Sequence, residues 1–287
     1  VKETLKELLD LLDLEQIEND IFRGRSSAER QQRVFGGQVA GQALVAAGRT
    51  VPPNRQVHSL HAYFIRPGDP LVPIVYTVDR VRDGRSFTTR RVLAIQHGKA
   101  IFSLSASFQV AEEGIEHQAA MPDAPDPETL PTARERFAPL WGAELAEKWV
   151  SRRPFDVRHA TPLTWEAIKD PSLASPVSSV WLRVDGELPD DPLLHVCLMT
   201  YASDMTLLDT VLLNHALAWG EKGTMGASLD HAMWFHRPFR ADDWLLYQQD
   251  TPFAGNARGL ARGQVFTRDG QLVVSVMQEG LIRTTGA

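Results

Sequence analysis

The chain repeats itself. Tyr63-Phe64-Ile65-Arg66-Pro67 reads against Trp234-Phe235-His236-Arg237-Pro238 at an offset of 171 residues, with aromatic, aromatic, Arg and Pro coinciding. The register continues through Val75-Tyr76 against Leu246-Tyr247, Gly84 against Gly255 and Arg91 against Arg262. One inserted residue then sets Gly98-Lys99-Ala100-Ile101-Phe102-Ser103 on Gly270-Gln271-Leu272-Val273-Val274-Ser275. Chance can supply one aromatic–Arg–Pro cluster, but not the same order of helix, strand, strand, Gly turn, strand, Gly turn and strand twice. Such a chain must fold as two copies of one supersecondary unit.

Each copy opens with a helical stretch, expected over 35–47 in the first and 201–212 in the second. About four strands of eight to ten residues follow, joined by Gly-containing hairpins. The 14 residues from Gly36 to Arg49 carry no charge before the final Arg, which suits a helix buried on most sides. The strands are long enough to curl around it. Pro122, Pro125, Pro127, Pro131 and Pro139 crowd the stretch between the copies, a density that suits a connector and not a packed element. The expected division is a first module over 1–110, a Pro-rich linker over 111–150 and a second module over 151–287.

Strand alternation makes the two copies comparable position by position. Ala100, Phe102, Leu104 and Ala106 share one face in copy one, with Ser103, Ser105 and Ser107 on the other. The matching face in copy two is Leu272, Val274, Val276 and then Gln278. An amide buried without partners costs roughly 1–3 kcal/mol, so either something polar faces Gln278 or the strand exits to solvent at Glu279-Gly280. Gln38 matches Asp204, placed at the start of a helix, where an aspartate serves as a cap or as a functional acid. Val57 matches Ser228. Three matched positions are each more polar or more ionisable in copy two. A carboxylate, a hydroxyl and an amide in one cleft can hold and deprotonate a water molecule.

Composition narrows the remaining classes. The 287 residues are 43% hydrophobic and 23% charged, an ordinary globular mixture, and the net charge of −6 argues against a general nucleic-acid binder. Cys197 is the single cysteine, so no intramolecular disulfide can form; it sits in the apolar run 193–199 and reads as a packing residue. The segment VKETLKELLDLLDLEQIEND is expected to form an amphipathic helix through Leu5, Leu8, Leu9 and Leu12, and not a secretion signal. No run approaches the ~20 apolar residues of a membrane span. A cytoplasmic location is expected.

Other motifs carry less. Gly226-Ala227-Ser228-Leu229-Asp230 begins like a nucleophile elbow but lacks its final glycine. His58 and His61 are expected on opposite faces of a strand, and no third ligand accompanies them, so a metal site is not expected. His58 reads as a hydrogen-bonded structural histidine. No phosphate-cradling glycine loop is present, and no cofactor is expected.

Val34-Phe35-Gly36-Gly37-Gln38-Val39, Phe64-Ile65-Arg66-Pro67-Gly68-Asp69, Tyr201-Ala202-Ser203-Asp204, Leu229-Asp230-His231-Ala232-Met233-Trp234-Phe235-His236-Arg237-Pro238 and Gln278-Glu279-Gly280 together resemble the acyl-CoA thioesterase II family, in order and over nearly the whole chain. The resemblance implies an α+β fold of two tandem hot-dog modules, each an antiparallel sheet wrapped around a central helix. It also implies hydrolysis of acyl-CoA thioesters to free fatty acid and CoA, with Asp204, Ser228 and Gln278 as the catalytic trio and no covalent intermediate. Position 228 is often threonine in such proteins; serine keeps the hydroxyl. An acyl-CoA substrate and a homo-oligomer follow from the resemblance alone, and Arg25, Arg258 and Arg262 are candidate CoA contacts by charge. A hot-dog hydratase or dehydratase and a non-catalytic acyl-CoA binding protein are the alternatives. The first normally employs a catalytic His, and the second would not need the polar trio. Copy one, with Gln38, Val57 and Ala106, is expected to be a structural partner, which gives one active site per chain.

Overall fold

The computed structural model describes residues 3–26, 32–151 and 154–284; the outer limits of the two expected modules, residues 1 and 287, lie outside them. The first repeat comprises helix α1 (Glu3–Leu12), strands β1 (Glu15–Glu18) and β2 (Ile21–Gly24), helix α2 (Gly36–Gly48), and strands β3 (Arg55–Phe64), β4 (Ile74–Asp83), β5 (Phe87–Gln96) and β6 (Lys99–Val110). Helices α3 (Ala133–Trp141) and α4 (Ala143–Val150) follow. The second repeat runs through β7 (Phe155–His159), α5 (Thr164–Lys169), β8 (Val177–Val184), α6 (Pro192–Ser203), α7 (Asp209–Asn214) and β9 (Met225–Ser228). It ends with β10 (Asp230–Phe235), β11 (Leu245–Gly255), β12 (Arg258–Thr267) and β13 (Leu272–Arg283).

The thirteen strands of the described residues join one antiparallel sheet in the order β1-β2-β4-β5-β6-β3-β10-β13-β12-β11-β8-β7, with β9 on β13. The two halves of that order are the two repeats, and β3 against β10 is the seam. At the seam His61 pairs with Ala232, its own repeat counterpart, so a local two-fold axis passes between them. The fold is thus the expected α+β pair of hot-dog modules, fused edge to edge.

Alternation explains how each half wraps its helix. Phe102, Leu104 and Ala106 are buried on β6, as are Leu272, Val274, Val276 and Gln278 on β13, while Ser105 faces outward. Nearly all of α2 is buried, which an uncharged helix tolerates. Its two amides are satisfied: Gln42 donates to the carbonyls of Leu11 and Arg25 at 2.7 and 2.9 Å and accepts from the Tyr76 hydroxyl at 2.6 Å. Helices α2 and α6 cross antiparallel in close contact. A Cβ at Gly37 would lie 2.3 Å from the Tyr201 carbonyl oxygen, and one at Gly41 3.2 Å from that of Cys197. Only glycine at 37 allows the backbones to meet.

Two local expectations are corrected. The helix of copy two begins at Pro192, not near Tyr201: Asp191 caps it, accepting from the backbone N–H of Leu193 at 3.0 Å, and Pro192 fills the first position. The chain then turns through 204–208 before α7. The expected unpacked character of the Pro-rich stretch also fails in part. Residues 111–126 form no helix or strand, yet Met121 and Ala124 pack with Leu130 on a cluster containing Trp181, Trp244 and Phe266, and the Trp181 indole donates to the Pro125 carbonyl at 2.8 Å. Beyond them a Thr132–Glu135 capping box starts α3, whose Phe137 packs with Ala146 of α4 and Leu163. Cys197 is buried as expected. No helix among the described residues is long and apolar enough to cross a membrane.

Candidate active site

Asp204 stands at the C-terminal end of α6, not at the start of a helix, so it caps no N-terminus. Its carboxylate is held instead by donors from other elements. The Gln278 amide donates to Oδ1 at 2.6 Å, and the Ser228 hydroxyl donates to the same oxygen at 3.2 Å. Inward alternation along β13 delivers Gln278 beneath the helix. Ser228 arrives from the last position of β9, opposite Gly280. The three residues singled out by comparing the repeats therefore meet at one carboxylate oxygen, across 74 residues of sequence.

The first repeat supplies the other side. Helix α2 starts at Gly36 after Phe35, which offers no side-chain cap, so the N–H groups of its first turn are left for other partners. One of them, from Gly37, faces the Asp204 carboxylate and favours its charged form. A Cβ at Gly36 would fall 2.7 Å from Asp204 Oδ2 and 2.8 Å from the Phe64 ring. Both glycines thus let a helix N-terminus approach an anion closely. Burial pushes Asp204 up to about 6 from its ordinary value of 3.8, against the pull of the Gln278, Ser228 and Gly37 donors and of the Arg33 charge. Desolvation wins because among the described residues no cation forms an ion pair with the carboxylate.

The expected match of Gln38 with Asp204 does not hold in space, because Gln38 stands in the first turn of α2 and Asp204 at the end of α6, but none of the three copy-one residues compared is ionisable. Val57 and Ala106 are buried apolar residues, and Gln38 spends its amide on the Arg25 carbonyl at 3.2 Å. The cavity lies between the two repeats, lined by residues of both, and has a volume of about 500 Å3. Asp204 and Ser228 open onto it together with Gly36, Phe64, Leu208 and Trp219. Gln278 is wholly buried behind them, and its Oε1 has no partner among the described residues. A buried amide oxygen calls for a donor, which a water in the site can supply.

Some residues lay beyond sequence reasoning. Arg33 lines the cavity and donates to the Gly226 carbonyl at 2.7 Å, a contact that no periodicity announces. His231 is buried under α6 and bonded through Nε2 to the Ser203 hydroxyl at 2.8 Å; burial lowers its pKa to about 4, so it is neutral. Its inward position on β10 was readable from alternation. His58 bonds Ser107 Oγ at 2.8 Å, a structural role as expected. The faces of the two histidines need correcting. A bulge at 57–59 resets the alternation, so His58 and His61 both lie on the outer face of β3. Arg258 and Arg262 are engaged by Glu279 and Asp250, and neither they nor Arg25 lines the cavity. Among the described residues, no cluster of three or more His, Cys, Asp or Glu has the arrangement to hold a metal ion.

Two family models match the chain: acyl-CoA thioesterase over residues 166–281 and acyl-CoA thioesterase N-terminal domain over residues 25–109. The chain is 41% identical over 286 residues to acyl-CoA thioesterase 2 of Haemophilus influenzae, covering 99% of both proteins. It is 48% identical to acyl-CoA thioesterase II TesB2 of Mycobacterium marinum, whose crystal structure superposes with a TM-score of 0.79 over 97% of this chain and 99% of that one. A hot-dog protein of Alicyclobacillus acidocaldarius, 20% identical, shares the fold with a TM-score of 0.79 over 97% of this chain and 98% of that one.

Proposed function

The chain belongs to the acyl-CoA thioesterase family, and from that premise we propose that Asp204 is the general base that activates water for attack on an acyl-CoA thioester. The observation that carries this reading is the convergence on one buried carboxylate of two side-chain donors from the second repeat and one backbone donor from the first. Gln278 and Ser228 both point at Oδ1, which fixes the plane of the carboxylate and leaves Oδ2, beside Gly36, to take a proton. Gln278 Oε1 and the Ser228 hydroxyl help to hold the water. A pKa near 6 leaves the group ionised at neutral pH and makes it a stronger base than an ordinary aspartate.

The water loses its proton to Asp204 as its oxygen bonds to the carbonyl carbon. The developing oxyanion is stabilised by the remaining N–H groups at the start of α2, which carry the partial positive charge of a helix N-terminus. Collapse of the tetrahedral species expels CoA as thiolate, and the proton on Asp204 is available to it. No enzyme-bound acyl group forms: Ser228 donates to a carboxylate, and no histidine stands by to deprotonate it.

The test is release of CoA thiol from a panel of acyl-CoAs by the parent, Asp204→Asn and Gln278→Ala. Hydrolysis is expected to collapse in the first and weaken in the second. Equal rates in all three would remove the site assignment, and hydration of an enoyl-CoA without thiol release would remove the reaction.

A further inference from the structure

His231 is the polar exception on the inner face of β10, which it shares with Met233 and Phe235. At the 171-residue offset its counterpart is Leu60, a fully buried residue of the first repeat. Leu60 pairs across the strands with Ala106, the counterpart of Gln278. In the second repeat Ala232 pairs with Met277, and the next residue on each strand, His231 and Gln278, turns to the interior. Where the first repeat sets leucine against alanine, the second therefore sets histidine against glutamine, at 1% and 0% exposure.

Both side chains are half satisfied. His231 Nε2 lies 2.8 Å from the Ser203 hydroxyl, and Gln278 Nε2 donates to Asp204 Oδ1 at 2.6 Å. The atoms left over, His231 Nδ1 and Gln278 Oε1, are buried and have no partner among the described residues. An amide oxygen can only accept, so its neighbour must donate. Burial keeps the imidazole neutral, with a single ring proton to place. On Nδ1 that proton suits Gln278 Oε1, and Nε2 is then free to accept from Ser203. Stranding both atoms would instead forfeit their solvation with no return. The amide oxygen has two lone pairs, so one remains for the reacting water. A second connection reaches Asp204 through the backbone: Ser203 precedes it, and the Ser203 carbonyl accepts from the Tyr247 hydroxyl at 3.2 Å.

We propose that His231 is a positioning residue for the hydrolysis: its Nδ1–H holds the Gln278 amide with nitrogen toward Asp204, and its Nε2 fastens Ser203 at the end of α6. A glutamine turned end for end would set an oxygen against the carboxylate and repel it. The first repeat, with no acid to serve, fills the same place with leucine. The proposal rests on Asp204 being the reacting centre, as proposed above.

The experiment measures kcat and KM for hexanoyl-CoA in the parent, in His231→Leu, His231→Asn and His231→Gln, and in Gln278→Ala with and without His231→Leu. Leucine is the residue of the first repeat, so His231→Leu is expected to fold. Its kcat is expected to fall about tenfold, the scale of one hydrogen bond, with KM held within about twofold. Asparagine, whose amide nitrogen sits where Nδ1 does, is expected to restore kcat, and glutamine, which reaches the Nε2 position instead, is not. In the Gln278→Ala background the leucine change is expected to cost nothing further. An undiminished kcat in His231→Leu, the same loss in both backgrounds, or rescue by glutamine and not asparagine overturns the proposal. Imidazole nitrogen NMR spectra read the contact without turnover. The His231 proton is expected on Nδ1 in the parent, and a parent with the proton on Nε2 overturns the proposal whether or not the variants fold. Should Asp204→Asn hydrolyse as fast as the parent, the site assignment fails separately, and the ring proton alone judges the contact.

Discussion

The backbone N–H of Gly37 faces the carboxylate of Asp204 and favours its charge, so the central helix of the first repeat begins at the acid of the second. Neither repeat owns the site. The second provides the carboxylate, the hydroxyl and the amide, and the first provides the uncapped helix start that faces them.

The pH dependence of the reaction follows from the desolvated state of Asp204. A base with a pKa of about 6 is lost as the pH falls through that value, so kcat/KM is expected to climb from pH 5 to pH 7 and to level above. A profile flat across that range would count against Asp204 as the base.

Asp204→Asn is expected to lower kcat by about 10²–10⁴, the usual contribution of general-base assistance. Stability should move the opposite way. A carboxyl whose folded pKa is raised from 3.8 to about 6 destabilises the fold once the pH exceeds the unfolded value, fully so above about 6. The Asn variant should therefore melt higher than the parent at pH 7.5, by the equivalent of up to roughly 3 kcal/mol, with the difference shrinking towards pH 4. Thermal melts at both pH values check the sign.

Gln278 and Ser228 are separable. Gln278→Glu puts a second carboxyl against Asp204, and mutual repulsion should carry the acid limb of the pH profile upward. Ser228→Thr keeps the hydroxyl that donates at 3.2 Å and should retain activity, whereas Ser228→Ala should lose about tenfold. Parallel kcat measurements across the four proteins, including the parent, decide it.

The two glycines of α2 should fail differently. An added methyl at Gly36 meets the Asp204 carboxylate and the Phe64 ring, side chains that can yield, so Gly36→Ala should fold but displace the acid and lose kcat. At Gly37 the methyl meets the Tyr201 carbonyl oxygen at 2.3 Å, a backbone atom in a helix crossing. Gly37→Ala should cost about 1–3 kcal/mol of stability by overpacking, visible in denaturant melts.

Binding stoichiometry distinguishes the repeats. One equivalent of a non-hydrolysable acyl-CoA thioether should bind per chain, because Val57 and Ala106 of copy one carry neither the hydroxyl nor the amide of Ser228 and Gln278. Calorimetry returning two equivalent sites would show that copy one has kept a site.

The duplication, the long strands and the inward position of Gln278 were all legible, because a period of two and a fixed offset survive in the residues themselves. The placement of Asp204 was not. Helix α6 buries residues on every side, polar His195, Thr200 and Ser203 along with apolar Cys197, Leu198 and Met199, so it offers no periodicity from which to read its end. Asp191-Pro192, a cap followed by a proline, was the available sign of its start. The Thr132–Glu135 box likewise marked α3 within the prolines. The Gly37–Asp204 contact had no local sign, since it joins elements that only the crossing of α2 and α6 brings together.

The seam where His61 meets Ala232 makes the two halves interdependent. Severed from its partner, either half would bare a hydrogen-bonding edge strand at the middle of the present sheet. The second half alone could heal that edge by joining another copy of itself, β10 to β10, about the same axis. The resulting twofold particle would carry two aspartates, each facing a helix that opens with Pro192-Leu193 in place of Gly36-Gly37. Carrying both halves in one chain thus does more than tether them: one half presents a bare helix start and the other the acid, a division of labour that identical subunits cannot adopt.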